Sequence, residues 1–236
     1  MDLAFITWTH TDCQDVFPLY FGQLDKYCND YKSYVFINSQ VKSIPSRHIQ
    51  LVNNGDDLYY KRFISCLESV EEEHVIYMQE DYVLYSHPNH QLIKKYNEFL
   101  LQSDYSCLRL IKSGEMGGKK ITETLHDVPM NSNFLFSHQA SIWNKKDLLK
   151  LLKFYKPYSL PHVELYGSSA CNTLNIKSCY HYQNEDRVGK YHFNSNVFPY
   201  VATAINKKKW NMSEYETILS KLLEDYDIDY NIRGVC

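Results

Sequence analysis

The sequence predicts an α/β fold: one domain built on a mostly parallel mixed sheet with helices on both faces. Short apolar runs alternate with amphipathic helical stretches through the first half, the pattern of strands joined by crossover helices. The chain has 236 residues, and its 44% hydrophobic content is enough to fill one core of that size. No internal repeat, low-complexity stretch or linker divides it, so a boundary near residue 103 is nominal.

Leu3 to Trp8 reads as the first strand, followed by a helix carrying Val16, Leu19, Tyr20 and Leu24, with Asp12 or Asp15 placed to cap it. Tyr34 to Ile37 and Ile49 to Val52 are the next strands. The third ends in Asn53-Asn54-Gly55-Asp56-Asp57, a turn that leads into a helix over Leu58 to Val70. His74 to Met78 is the fourth strand. The second half is less regular, with a helix over His90 to Leu101, a strand over Ser106 to Ile111 and a Gly-containing loop from Lys112 to Lys120. A mixed segment from Asn133 to Trp143 then precedes helices over Lys145 to Phe154 and Val163 to Leu174. The last helix, Ser213 to Tyr226, opens on Ser-Glu-Tyr-Glu, a capping-box pattern.

Charge and cysteine usage exclude several classes. Lys plus Arg total 25 against 28 Asp plus Glu, for a net charge of -3, which argues against a general nucleic-acid binder. The 7 cysteines include no C-x-x-C pair, so neither a disulfide framework nor a thiolate zinc site is signalled, and a reducing intracellular compartment is expected. The start, Met1-Asp-Leu-Ala-Phe-Ile, has no basic region and reads as strand and not signal peptide; no apolar run reaches membrane-spanning length.

Ligands of open α/β sheets sit beyond the carboxyl ends of the strands. Those ends here carry Thr7-Trp8-Thr9-His10, Asn53 to Asp57, and Gln79-Glu80-Asp81. Hydroxyl, amide, aromatic and carboxylate groups on one edge suit a nucleotide, with a carboxylate-bound cation for its diphosphate. Glu80 and Asp81 interrupt an apolar stretch, where desolvation is costly unless a cation or hydrogen bonds compensate. Either Asp81 helps hold a hard divalent ion, Mg2+ or Mn2+, or the two acids end the strand and cap a turn. Tyr60 and Arg62, on the helix after Asp57, reach toward base or phosphate, or are a packed ring and an exposed cation.

Strand one with Thr7-Trp8, the helix Leu58-Tyr-Tyr-Lys-Arg-Phe and the frame Gln79-Glu80-Asp81 resemble the nucleotide-sugar half of GT-A glycosyltransferases. That family carries Asp-x-Asp, the first acid on ribose and the last on the metal. Gln79 stands in the first place here, so the resemblance keeps the metal role for Asp81 alone. Ser137-His-Gln-Ala-Ser-Ile-Trp143, Pro161-His-Val-Glu-Leu-Tyr and Gly189-Lys-Tyr-His-Phe-Asn follow in the order of an acceptor strand, a helix bearing a catalytic acid and a C-terminal metal-binding His. The resemblance thus implies Glu164 as the base of an inverting hexosyl or pentosyl transfer, with Asp127 in reserve, and His192 as a second metal ligand beside Lys190 on the diphosphate. Read alone, Glu164 is equally a first-turn acid favoured by the helix dipole, and His192 a hydrogen-bonded imidazole.

The resemblance further implies a UDP-sugar donor and a glycan or glycoprotein acceptor. The relatives it brings closest are enzymes of large DNA viruses of algae and amoebae that decorate capsid proteins, which would place the chain in host cytoplasm. Residues 1–103 would form the nucleotide-sugar half and 104–236 the acceptor half. Two alternatives stay open. A sugar-phosphate nucleotidyltransferase would normally carry a Gly-rich, Arg- or Lys-bearing loop after strand one, where this chain has Thr9-His-Thr-Asp-Cys. A non-catalytic nucleotide- or carbohydrate-binding module of the same fold is the stronger rival. A dehydrogenase or methyltransferase would need a G-x-G turn at that place, and there is none.

Overall fold

Strict alternation along the first strand decides which residues meet which layer. In the computed structural model, which describes residues 3–53, 55–114 and 117–236, Leu3 and Phe5 enter one core while Ala4 and Ile6 enter the other. Met1, Asp2, Asn54, Glu115 and Met116, which fall within the readings above, lie outside the described residues.

The strands are β1 (Leu3–Trp8), β2 (Ser33–Ile37), β3 (Ile49–Val52), β4 (His74–Gln79), β5 (Val83–Leu84), β6 (Tyr105–Arg109), β7 (Leu125–Asp127), β8 (Ser141–Asn144), β9 (Lys177–His181), β10 (Arg187–Val188), β11 (His192–Phe193), β12 (Tyr200–Val201), β13 (Ile205–Asn206) and β14 (Lys209–Trp210). The helices are α1 (Phe17–Cys28), α2 (Tyr59–Glu68), α3 (His90–Gln102), α4 (Lys145–Tyr155), α5 (Leu160–Leu174), α6 (Met212–Asp225) and α7 (Tyr230–Arg233). Eight strands make one sheet in the order β3-β2-β1-β4-β8-β6-β9-β7. β3, β2, β1 and β4 are mutually parallel, β8 runs against both β4 and β6, β9 is parallel to β6, and β7 runs against β9. This is the mixed, mostly parallel sheet flanked by helices that the sequence predicts. α1, α3 and α6 pack on one face, and α2, α4 and α5 on the other.

Several helix starts differ from expectation. Neither Asp12 nor Asp15 caps α1: a 3-10 turn, Thr11–Cys13, intervenes, and Val16 stands at the cap without a side-chain bond. Asp15 pairs with Arg233 instead. The Ser213 capping box does not form, because α6 begins one residue earlier, after Asn211, and Ser213 bonds the Asn211 side chain. α2 lacks a side-chain cap as well. Its first amides are satisfied from another part of the chain, Tyr59 N–H by the Tyr158 carbonyl at 3.4 Å and Tyr60 N–H by the Pro157 carbonyl at 3.0 Å.

Arg109, the largest charged side chain in the core, is fully buried on β6. Its guanidinium donates to the Phe134 carbonyl and, at 2.9 Å, to the Leu135 carbonyl, tying the irregular segment before β8 to the sheet. Sequence patterning does not single it out, since it sits in an apolar run that reads as plain strand. Replacing Arg109 with Met removes this donor from both carbonyls, leaving Leu135 with the Ser178 hydroxyl at 2.9 Å, and urea denaturation should show a loss of about 2–4 kcal/mol. An unchanged midpoint would mean that the segment holds itself in place.

Candidate active site

β1 and β4 pair in parallel with Trp8 opposite Gln79, so the chains leaving them, Thr9-His10 and Glu80-Asp81, emerge side by side at one edge. By parity Trp8 turns to the α2 face. Its ring stacks on Phe63 at 5.4 Å and meets Tyr59 edge-on at 4.8 Å, with the Arg62 guanidinium 5.4 Å from it. Arg62 Nε is buried without a hydrogen-bond partner among the described residues. Gln79 donates its amide to the Tyr77 hydroxyl at 2.8 Å, which fixes its orientation.

Burial raises the pKa of both Glu80 and Asp81, and for Asp81 the Glu80 charge raises it further. For Glu80 the Cys13 thiol and its own backbone amide partly offset the rise, while the nearby Thr9 hydroxyl is buried without a hydrogen-bond partner among the described residues. Asp81 accepts from its own amide and from the Ile205 N–H, while its backbone carbonyl accepts from Ala204 N–H at 3.1 Å. Two carboxyls are thus held together at a strand end with hydrogen bonds but no cation in contact among the described residues.

Beside them lies a cleft of about 330 Å³, walled by Ser113, Gln139, Glu164, Tyr191, His192 and Thr203 with Phe134 and Phe136. Thr203 immediately precedes the Ala204 and Ile205 amides that bind Asp81, so the cleft and the carboxyl pair share one segment of chain. A bridge between Ser113 and His192 closes one wall. Ser113 Oγ and His192 Nδ1 are both buried with no hydrogen-bond partner among the described residues. Burial pushes the His192 imidazole down to about 4, against the opposing pull of Glu214, so the ring is neutral at pH 7 with a lone pair available. Two unpartnered polar groups therefore line one cleft.

Glu164 reaches this cleft because α5 starts at Leu160, capped by Ser159, three residues before the expected Val163. Glu164 therefore lies beyond the first turn, where the helix dipole has little to offer a carboxylate. Although Glu164 is exposed, partial desolvation raises its pKa, and the nearby His138 backbone N–H partly offsets the rise. Close approach of α5 depends on Gly167, since a Cβ there would stand 2.8 Å from the Phe136 ring on the cleft wall.

The structure brings Glu164 and His192 into one cleft, with Asp81 and Glu80 beside it, and gathers Trp8, Arg62 and Gln79 along the adjoining strand ends. Four expected site residues lie elsewhere. Thr7 turns to the α1 face, where it is fully buried and shares a 2.7 Å hydrogen bond with Tyr20; it is a core residue. Asn53 is buried beyond β3, separated from β1 by β2, and donates to the Ile37 carbonyl at 2.9 Å. Asp127 ends the edge strand β7, separated from β4 by β8, β6 and β9, and accepts from the Tyr105 hydroxyl at 3.0 Å. Lys190 is exposed, its ammonium 5.0 Å from the Tyr191 ring, and does not line the cleft. Thr9 faces Glu80, Asp57 is half-buried in the turn before α2, and the half-buried Tyr60 is anchored through its backbone to Pro157. Ser113, Gln139, Tyr191 and Thr203 were not foreseen, although Gln139 and Tyr191 fall within motifs singled out above.

No group of three or more His, Cys, Asp or Glu positioned to hold a metal ion occurs among the described residues. The cysteines are free, and no helix is long and apolar enough to cross a membrane among the described residues.

Buried imidazoles give the fold a pH dependence. Burial pushes His48 and His138 down to about 4, well below the ordinary 6.5, so between these values the unfolded chain binds protons that the folded one refuses. Their contribution is intact above about pH 6.5 and is lost as pH falls through about 4. The raised carboxyls Glu80, Asp81 and Glu164 act with the opposite sign. Comparison with His138→Gln at each pH isolates one imidazole: the gap between variant and parent should change in the variant's favour as pH drops from 7 to 4.5, measured by urea denaturation.

No protein-family model matches the chain, and a search of curated proteins finds no relative. Solved structures do match in shape. A cytidylyltransferase from Leptospira borgpetersenii aligns with 98% of this chain and 98% of its own at TM-score 0.52 and 11% identity. S. aureus TarS 1-349 aligns with 99% of this chain and 68% of its own at TM-score 0.49 and 14% identity. The mannosyltransferase PcManGT from Pyrobaculum calidifontis, in complex with GDP-Man and Mn2+, aligns with 76% of this chain and 56% of its own at TM-score 0.46 and 9% identity. At these identities the likeness speaks for the fold alone: the chain shares the α/β architecture of the cytidylyltransferase.

Proposed function

We propose that this chain is a metal-assisted glycosyltransferase that moves a hexosyl or pentosyl group, with inversion, from a nucleotide-diphosphate sugar to a hydroxyl of a glycan or glycoprotein. The donor we favour is a UDP-sugar. One observation carries the reading: a cleft that joins Glu164 to the unpartnered His192 Nδ1 and Ser113 Oγ opens beside the carboxyls of Glu80 and Asp81.

The residues fit a hard divalent ion. Asp81 offers carboxylate oxygen without a competing ion pair, and His192 offers a neutral imidazole; Mn2+ or Mg2+ held by these two would complete its shell with diphosphate oxygens. Bound there, the ion supplies positive charge to the departing diphosphate. Glu164, its proton affinity raised by partial desolvation, takes the proton of the acceptor hydroxyl as that oxygen bonds to the anomeric carbon and the bond from that carbon to the diphosphate breaks. In this reading Trp8 and Arg62 would meet base and ribose, with residues 1–103 serving the donor, and the cleft walled from residue 113 onward would belong to the acceptor half, 104–236. Tyr191, 52% exposed, and Phe134, 37% exposed, present aromatic faces to a sugar.

A nucleotidyltransferase is the second reading, favoured by the end-to-end likeness to the cytidylyltransferase. Against it stands the segment after β1, which folds as a 3-10 turn over Thr11–Cys13 and offers neither glycine nor basic residue to a triphosphate.

The test is product analysis. With Mn2+ and a panel of UDP-, GDP- and dTDP-sugars, slow release of nucleoside diphosphate is expected, whereas pyrophosphate released from a nucleoside triphosphate and a sugar phosphate would favour the second reading. Binding without turnover would favour a non-catalytic module. Glu164→Gln should lower transfer by roughly 10²–10⁴-fold while UDP affinity holds. Because Glu164 must be ionised, kcat/KM should rise with pH through a limb above the ordinary glutamate range, and this limb should vanish in the variant. Asp81→Ala should remove the mutual enhancement of Mn2+ and UDP binding in calorimetry; equal UDP affinity with and without metal in the parent chain would sink the metal claim.

A further inference from the structure

The edge that carries Glu80 and Asp81 is also reached by the last turn of the chain. β1 and β4 are parallel neighbours, so Cys13 and Asp15, just past β1, stand at the same edge as the carboxyl pair. Asn38, beyond β2, holds this segment by exchanging hydrogen bonds with Thr11 at 2.9 and 3.0 Å. Onto it α7 brings Arg233, whose Nε and Nη2 grip the two Asp15 carboxylate oxygens at 2.8 and 2.6 Å. The guanidinium also lies 6.0 Å from the Trp210 ring. Although it belongs to a short terminal helix, its side chain is only 13% exposed.

This placement is held by a backbone zip. Gly234, at φ 78, turns the chain so that Trp210 N–H reaches the Gly234 carbonyl at 3.0 Å, and Cys236 N–H reaches the Trp210 carbonyl at 3.0 Å. Arg233 is thus a fixed cation, and its charge is felt at Cys13, Glu80 and Asp81.

A nucleotide-sugar diphosphate adds two negative charges to an edge already bearing Glu80, Asp81 and Asp15. One divalent ion does not neutralise that set. A guanidinium has the forked geometry that phosphate oxygens accept in pairs, and a bidentate partner such as Asp15 keeps it aimed while the donor is absent.

We propose that Arg233 is a donor-binding residue that exchanges Asp15 for the diphosphate oxygens when the nucleotide sugar binds, with Asp15 acting as its holder. This rests on the glycosyltransferase reading above and adds to it a second, protein-borne cation.

The experiment is calorimetric titration of UDP in the presence of Mn2+ with the full chain and three variants, alongside thermal melting. Arg233→Gln should weaken UDP binding about tenfold or more, Arg233→Lys less so, and Asp15→Asn, which frees the guanidinium, should bind as tightly as the parent or tighter. The pair's loss should lower the melting temperature of Arg233→Gln and Asp15→Asn alike, so opposite effects on UDP affinity cannot arise from lost stability. If Arg233→Gln binds UDP within twofold of the parent, or if Asp15→Asn weakens binding as much as Arg233→Gln does, the inference is overturned while the glycosyltransferase reading stands. A parent chain that binds no nucleoside diphosphate overturns both.

Discussion

Placing two adjacent carboxyls at the end of a buried strand, without an opposite charge in contact, costs several kcal/mol unless dipoles or cations take the place of water. The region around Glu80 and Asp81 is arranged to meet that demand. The 3-10 turn after β1 presents Cys13, and Thr9 before it presents a hydroxyl; the strand pair β13–β14 brings the Ile205 amide from the far end of the sequence. These devices reduce the repulsion without removing it. What is left over is an appetite for positive charge at the point where β1 and β4 end together.

The second half of the chain builds the cleft around this point by different means. β8 runs against β4 and β6, so its entry from Ser137-His138-Gln139 lies at the same edge at which β4 exits. The Phe134 to Gln139 segment has no regular ladder of its own. Arg109 from beneath, the Ser168 hydroxyl on the Phe136 amide and the Tyr200 hydroxyl on the Gln139 side chain give it a fixed course. With that course set, the His138 amide meets Glu164 and the Gly167 notch accepts Phe136. The Glu80–Asp81 pair and Glu164 are therefore mounted on two independently braced parts, one a parallel sheet and the other a hydrogen-bonded loop against α5.

Sequence periodicity made β1 to β4 and most helices legible, because each buries a face of regular spacing. It could also place Glu80 and Asp81, since acids are conspicuous inside an apolar run. It separated Thr7 from Trp8 poorly, although parity alone, counted from Leu3, sends one to α1 and the other to α2. Asn53 drew attention as a polar residue after a strand-like stretch, and Asp127 as an acid in Leu125-His-Asp-Val-Pro, which reads as a loop although it forms β7. Their distance from the edge depends on strand order, a non-local property that pairing decides and local sequence does not encode. The same limit hid the tail: nothing near Arg233 in sequence shows that it folds back across 218 positions to meet Asp15.

The unusual start of α2 bears on how phosphate can be handled here. In many α/β nucleotide-binding folds, the free amides at a helix N-terminus, reinforced by the helix dipole, cradle the anion directly. Tyr59 and Tyr60 have given their amide protons to Tyr158 and Pro157, so the first turn of α2 offers no such cradle from these two groups. On the proposed function, anion recognition would shift from the backbone, which every sequence possesses, to individual side chains, which single substitutions can remove. A fold of this kind keeps its shape under mutation more readily than it keeps its ligand, so descendants that retain the architecture can readily differ in what they bind.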